Sequence, residues 1–559
     1  MIESIHQKLE RARSPRVSIS YELETADAIQ KMELPFVVGV MSDLSGDRAT
    51  LFPSFSERKF ISVDLDNFHD FLAKINPTLT LVVDNVIDPA SDPLTVRLAF
   101  SHLDDFRPEC ITEQVEPLCT LLRSREACIE QQFSQNAVRL AEIDDLLSRQ
   151  LDRILHDSEF QRLEAKWRGL HYLVLQTQTS VMLKIKVLDV SKQEMAKDLQ
   201  KAVELNQSIL FKKVVEDEWW DFGGEPFGAL IGDYYFDHHP ADVGLLEKIA
   251  HIAATAQAPF IAGAAPGLLG MDSWQELGEP RDLGKILQTP EYTAWKAAFR
   301  HSEDARYIGL TMPRILLRNP YLAPPMPTEI FVYRETIDNT DSLLWGNAAY
   351  AFASCITTAF AKYGWFANIH GYEGGGLVEG LPSYTLLSDD GEVVTKCPTE
   401  IAIADRREAE LAQLGLIPLV HGKGTDSAVF FSVPSCYKPK QYDRAEATMN
   451  ARLAAQLQIV FTESRFAHYL KAIYRSRRGS SLSQSDLERL FNDWISNYVL
   501  TVDEASTTMR ARYPLREGRV NIREVQGKPG VYQAVVFLRP QFQLEELPVS
   551  MRLIVELGK

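Results

Sequence analysis

Phe227–Pro240, FGALIGDYYFDHHP, decides the fold. Up to Phe236 it is an apolar run of the kind found in a strand covered on both faces, and it ends among Asp233, Asp237, His238 and His239. Pro240 then suits the first turn of a helix, which the apolar spacing carries to Gln257. The pattern repeats on either side. Before it come a strand in VMLKIKV from Val181 and a helix opened by the capping box SKQE, Ser191–Glu194; after it comes the strand PFIAGAA. Strands alternating with helices require crossover connections, so the fold class is α/β with some α+β character: mixed sheets flanked by helices.

The N-terminal part reads the same way on a smaller scale. RVSISY sets Val17, Ile19 and Tyr21 on one face of a half-exposed strand, and LPFVVGVMSD is a buried strand. RKFISVD, the helix NFHDFLAKI, LTLVV and LTVRLAF complete an α/β unit of about 100 residues. A helical stretch follows from Pro108 to Gln176. Within it Leu140, Ile143, Leu147, Leu151 and Ile154 mark one apolar face, and SEFQ, Ser158–Gln161, restarts a helix as a capping box. No Gly/Pro/Ser-rich linker separates this stretch from what precedes it. NPYLAPPMPTE and GYEGGGLVEGLP punctuate the next section as structural loops.

The tail changes character. A long helix is expected from Asp443 to Arg477, then one capped by SDLE, Ser485–Glu488, ending near Tyr498. RVNIREV, VYQAVVFL and VSMRLIVEL are three strands of a small terminal sheet with an edge left to pair.

Bulk properties narrow the function classes. At 559 residues, 45% apolar and 24% charged, the chain is globular and too long for one core. A net charge of -17 argues against a general nucleic-acid binder and an anionic membrane surface; RSRR at Arg475–Arg478 and the run Arg510–Arg523 read as solvated or partner-facing rims. Cysteines at 110, 119, 128, 355, 397 and 436 form no CxxC pair, as expected of a reducing cytosol. The first residues lack the apolar core of a signal peptide, and no stretch approaches the roughly 20 apolar residues of a membrane span.

The opening stretch is also the best place to test for catalysis. His238 and His239 could join Glu247 and His251, four residues apart on the next helix, as zinc ligands. The structural alternative is a helix entry at HHPAD with Glu247 and His251 as a surface pair, and it is preferred. HGKGTDS at 421–427 has the wrong glycine spacing for a phosphate loop, and EGGGLVEG lacks the strand and helix of a dinucleotide fingerprint. With no GxSxG elbow and no HExxH helix, the expectation is no enzyme: no catalytic residue, cofactor or metal.

KWRGLHYLV, FGALIGDYYFDHHP, GMDSW, PRDLGKI, YIGLTMPRILLRNPY, LWGNAAYAF, EGGGLVEGLP, CPTEIAIADRREAEL, SRFAHYLKA and RYPLREGRVNIREVQGKPGVYQAVVFLRPQFQLEEL carry more than their physics. Together, from about Val138 to the C-terminus, they resemble the large contractile-sheath subunit of bacterial type VI secretion systems, the TssC or VipB type. SPRVSISYELETADAIQKMELPFVVGVMSDLSG, RKFISVDLDNFHDFLAKINP and LDDFRPE resemble the small subunit, the TssB or VipA type. The chain thus resembles both halves of a sheath protomer joined in one polypeptide. The implied regions are 1–135 (small-subunit-like, with an N-terminal donor strand), 136–440 (large-subunit-like α/β) and 441–559 (long helices and terminal sheet).

The resemblance implies a cytoplasmic helical homopolymer around an inner tube of Hcp rings, built on a baseplate, that contracts to propel the tube. A non-contractile or baseplate-proximal scaffold of the same fold is the alternative, with a metal-dependent enzyme behind it. In the family, strands pass between protomers, which here implies Val17, Ile19 and Tyr21, the hairpin residues Val520, Ile522, Val535 and Phe537, and Leu553 and Val555 of the last strand. A helix facing Hcp implies Asp486, Glu488 and Asp493. Separate large subunits also carry an extension read by the recycling AAA+ ATPase of the ClpV type. Here the small-subunit part runs almost directly into AEIDDLL, which puts that partner in question.

Overall fold

The computed structural model describes residues 19–25, 28–47, 53–132, 137–219, 224–322, 330–366, 368–383, 385–387, 393–395, 397–422, 425, 427–477, 483–500, 513–524, 532–540 and 551–557. These form a nine-stranded mixed sheet. Its order is Leu377–Val378, Ala428–Phe430, Leu416–His421, Ile308–Met312, Phe260–Ala264, Phe227–Phe236, Phe36–Ser42, Leu183–Asp189 and Ile61–Val63. From Leu416–His421 to Leu183–Asp189 every neighbouring pair is parallel, and antiparallel strands close both ends.

The strands of the first hundred residues do not form a sheet of their own, as the sequence had suggested. Phe36–Ser42 is buried at every position and lies between Phe227–Phe236 and Leu183–Asp189. A strand apolar on both faces and polar along both backbone edges needs cover and pairing on every side, and only the interior of a large sheet supplies both. Thr78–Val83 and Leu94–Ala99, which alternate buried and exposed residues, pair separately as a hairpin.

Layers of helix and loop cover both faces. One core joins Val38, Ile185, Ile231 and Ile261 to the helices Phe68–Ile75, Ala137–Leu155, Ser158–Gln176 and Ala348–Tyr363. The other joins Val37, Leu230 and Phe260 to Lys192–Lys201 and Pro240–Ala256. Glycine matters where strands meet closely: a Cβ on Gly228 would lie 2.1 Å from the ring of Phe36.

Three helix boundaries differ from the expected ones. Asp157, not Ser158, caps Ser158–Gln176, its carboxylate accepting from the N–H groups of Glu159 and Phe160. Gln484–Ser496 is capped two residues earlier than expected, by Ser483 with Asp486 closing the box, and Glu488 accepts the Ile522 N–H instead of closing a box with Ser485. The long helix is two, Ala445–Ala454 and Leu457–Ser476; Gln456 between them is extended, and the Ala455 carbonyl accepts from the N–H and hydroxyl of Ser435.

A third core lies beside the large sheet. There Leu457–Ser476 and Gln484–Ser496 pack on one face of an antiparallel three-stranded sheet ordered Leu515–Glu524, Tyr532–Pro540, Met551–Leu557. Ile19, Tyr21 and Leu34 belong to the same core, so the first described residues close against the last helices.

Candidate assembly site at the terminal sheet

The inner sheet order reverses between Phe36–Ser42 and Phe227–Phe236, the place where open α/β sheets hold ligands. The polar groups there bind one another. Asp233, 8% exposed, accepts on Oδ2 from the Ser42 hydroxyl at 2.9 Å and from Tyr350 at 3.1 Å, and burial raises its pKa. Asp189 accepts the Leu44 N–H at 2.7 Å, and burial pushes its carboxyl up to about 6. Lys166 meets Asp43 at 3.2 Å, and the Tyr234 hydroxyl donates to the Val190 carbonyl at 2.6 Å. These bonds tie strand ends to one another and, through Tyr350 and Lys166, to neighbouring helices.

The histidines at the end of the opening stretch have separate partners. His238 bonds the Gly267 carbonyl through Nδ1 at 2.6 Å and stacks on Tyr292. His239 caps Pro240–Ala256, and His251 pairs with Asp304 at 3.0 Å. Glu247 is exposed on the same helix. Among the described residues no group of three or more His, Cys, Asp or Glu side chains is placed to hold a metal ion.

The terminal sheet offers a different kind of site, because its two edges are unlike. At Val520 and Ile522 of Leu515–Glu524 the outward backbone groups are taken by side chains of Gln484–Ser496. Asn492 accepts the Val520 N–H at 2.9 Å and donates to the Val520 carbonyl at 2.8 Å. Glu488 accepts the Ile522 N–H at 3.0 Å, and Gln484 donates to the Ile522 carbonyl at 2.8 Å. At the strand's start Leu515 pairs with backbone of Tyr498 and Leu500. The helix comes so close that a Cβ on Gly518 would lie 2.2 Å from Ile495. On the far side of Met551–Leu557, no strand pairs among the described residues.

The N-terminal segment is held by the same two helices. Ser20 exchanges hydrogen bonds with the Tyr498 hydroxyl, both at 3.0 Å, and its carbonyl also accepts from the Trp494 indole at 2.8 Å. The Tyr469 hydroxyl accepts the Leu34 N–H at 3.0 Å, and Arg465 donates to the carbonyls of Leu34 and Pro35.

The residues singled out from sequence fall as follows. Val17 lies outside the described residues. Ile19 and Tyr21 are buried on the chain's own helices, and the first strand runs Tyr21–Thr25, paired with Ala28–Met32. Val520 and Ile522 face the third core; Val535 and Phe537 lie on the opposite face, Val535 buried and Phe537 38% exposed. Leu553 and Val555 stand in register with Val536 and Ala534. Asp486 and Asp493 are exposed, whereas Glu488 is half-buried against the sheet edge. Sequence reasoning missed Gln484 and Asn492. Their signal is a polar row at i, i+4 and i+8 on a helix flanking an edge strand.

Comparisons with known proteins add to this geometry. Residues 137–437 match the family model "EvpB/VC_A0108, tail sheath N-terminal domain", 446–557 match "EvpB/VC_A0108, tail sheath gpW/gp25-like domain", and 9–165 match "Type VI secretion system, VipA, VC_A0107 or Hcp2". The chain is 49% identical to the type VI secretion system sheath protein TssC1 of Pseudomonas aeruginosa over 477 residues, 83% of this chain and 95% of that protein. It is 38% identical to TssB1, a sheath protein of the same organism, over 115 residues, 21% of this chain and 66% of that protein. A solved structure of the contracted helical sheath of the anti-feeding prophage aligns with TM-score 0.30 and 10% identity, covering 70% of this chain and 78% of that one.

Proposed function

Since the chain belongs to the type VI secretion system sheath family, with VipA-type and VipB-type regions in one polypeptide, we propose that it is the protomer of a cytoplasmic contractile sheath that polymerises around an Hcp tube on a baseplate. The observation that carries this reading is the match along nearly the whole of TssC1, joined to the match of residues 9–165 to the VipA family model and to the similarity with TssB1. The role is structural rather than catalytic, in keeping with polar groups at the sheet switch point that are engaged with one another.

Copies would link by strand exchange at the terminal sheet. The proposed participants are the segment around Val17 of one copy, ahead of Ile19 and Tyr21, which stay on that copy's own helices, and the strand of Leu553 and Val555 in another, backed by Val520, Ile522, Val535 and Phe537 of the same sheet. An extended segment laid on an open edge gains backbone hydrogen bonds worth roughly 0.5–1.5 kcal/mol each, and head-to-tail donation does not close on itself. Support comes from the outer edge of Met551–Leu557, with which no strand pairs among the described residues. Asp486 and Asp493, exposed on Gln484–Ser496, are the proposed tube-facing charges.

Deleting residues 1–18 tests the linkage while leaving Ile19–Tyr21 on their helices. The expected outcome is folded protein by circular dichroism without tubes by negative-stain microscopy; long tubes from the truncation would refute strand exchange. Reversing both aspartates should reduce Hcp co-sedimentation several-fold without loss of sheath, and unchanged co-sedimentation would remove them from the tube interface.

A further inference from the structure

Asn492 presents a carboxamide, chemically a peptide unit, to the N–H and carbonyl of one residue, Val520. One turn earlier Glu488 and Gln484 divide the same task at Ile522, one accepting and the other donating. The row therefore reproduces, with side chains, the bonds a fourth strand would make. Helix packing alone does not need this, since the apolar contact is made by Leu487, Phe491 and Ile495 on the same helix.

Ladder alternation fixes the other edge. If Val520 and Ile522 direct their backbone groups away from Tyr532–Pro540, then Val536 and Ala534, their partners, direct theirs toward Leu553 and Val555. Arg552, Ile554 and Glu556 are left with backbone groups facing out, where no described strand pairs.

We propose that Gln484, Glu488 and Asn492 are an edge guard that determines where a second copy of this chain can add a strand, confining addition to the Met551–Leu557 edge. The occupant is an extended segment of another copy, because the chain belongs to a family of self-assembling sheath proteins and no strand pairs with this edge of the terminal sheet among the described residues. The inference rests on the strand-exchange reading above. It adds the side chains that make growth one-sided, a form of protection against wrong pairing that edge strands require.

Two full-length variants separate the guard from that reading. Ile554→Pro removes one outward N–H at an edge position, where proline is tolerated within a sheet. Loss of sedimentable polymer with this variant supports strand addition at the open edge, and tubes of wild-type length would overturn that reading itself. Replacing Gln484, Glu488 and Asn492 together by alanine in the Ile554→Pro background then uncovers the other edge. Sedimentable material at least tenfold above Ile554→Pro alone, irregular by electron microscopy, is the expected result. Protein that stays as monodisperse as Ile554→Pro alone, with an unchanged circular dichroism spectrum, overturns the guard. Should the triple replacement unfold, Asn492→Ala alone takes its place, with at least a threefold rise expected and no rise overturning the proposal. Glu488→Gln, which keeps an acceptor, should behave as the parent.

Discussion

The large sheet and the terminal sheet manage their edges by different means. Short antiparallel strands of the same chain, Ile61–Val63 at one side and Ala428–Phe430 with Leu377–Val378 at the other, extend the first beyond its parallel interior. The second has one edge masked by a helix's side chains and the other unpaired among the described residues. The contrast separates a part closed by its own strands from a part that, in the proposal above, receives a strand from another copy. Buried, hydrogen-bonded polar groups accompany the first; exposed charge and an edge that no described strand pairs accompany the second.

Breaking the rigid part should cost most. Arg318, 8% exposed, places its guanidinium 2.9 and 3.0 Å from the two oxygens of Glu335 and 3.3 Å from Glu164, tying the helix Ser158–Gln176 to the loop that carries Glu335. Burial alone would raise the Glu335 carboxyl, but bonds from His156 and Arg318 outweigh it and hold the pKa at about 2. Arg318→Ala leaves two buried carboxylates without this cation, so chemical denaturation should show a loss of about 3–5 kcal/mol. A loss below about 1 kcal/mol would mean that water or His156 compensates.

Asp189 sharpens the comparison through pH. Its folded pKa of about 6 exceeds the ordinary 3.8, so the protonated form favours the fold: its contribution is full below about 4 and is lost as pH rises through about 6. Asp189→Asn, which can still accept the Leu44 N–H, should stabilise the protein at pH 7 by as much as about 3 kcal/mol and flatten the slope between pH 4 and 6. Parallel pH profiles for the two proteins, measured by thermal unfolding, would contradict this account.

The smallest effect is expected at the terminal sheet. Gly518→Ala puts a methyl group where Ile495 now sits, and the helix must shift outward to admit it. The cost should fall near the lower end of about 1–3 kcal/mol, because this helix has a solvent-exposed face on which to move. Faster amide exchange at Val520 and Ile522, with no change in the large sheet, is the readout; unchanged exchange would show that the helix accommodates the methyl group in place.

The large α/β alternation was legible because its strands are apolar at successive positions and its helices carry caps such as Ser191 with Glu194, which the structure bears out. What could not be read from periodicity was which strands share a sheet: Phe36–Ser42 looks alike whether it sits in a small sheet or in the interior of a large one. The capping boxes at Ser158 and Ser485 misled for a local reason. Asp157 competes for the first, and Ser483–Asp486 fits the second pattern equally well, freeing Glu488 to reach a strand 34 residues away. The edge row depends on that distant pairing, so its i, i+4, i+8 spacing becomes legible only once the helix is known to flank that strand.

Arg465 grips the carbonyls of Leu34 and Pro35 immediately before the chain enters the interior strand Phe36–Ser42, which is zipped to parallel neighbours on both sides. Tension applied to the amino-terminal arm therefore arrives along the axis of that strand, loading its ladder in shear, so that many hydrogen bonds share the pull instead of peeling one by one. A lattice that hauls on its members through this arm would have its load path run through the stiffest part of each.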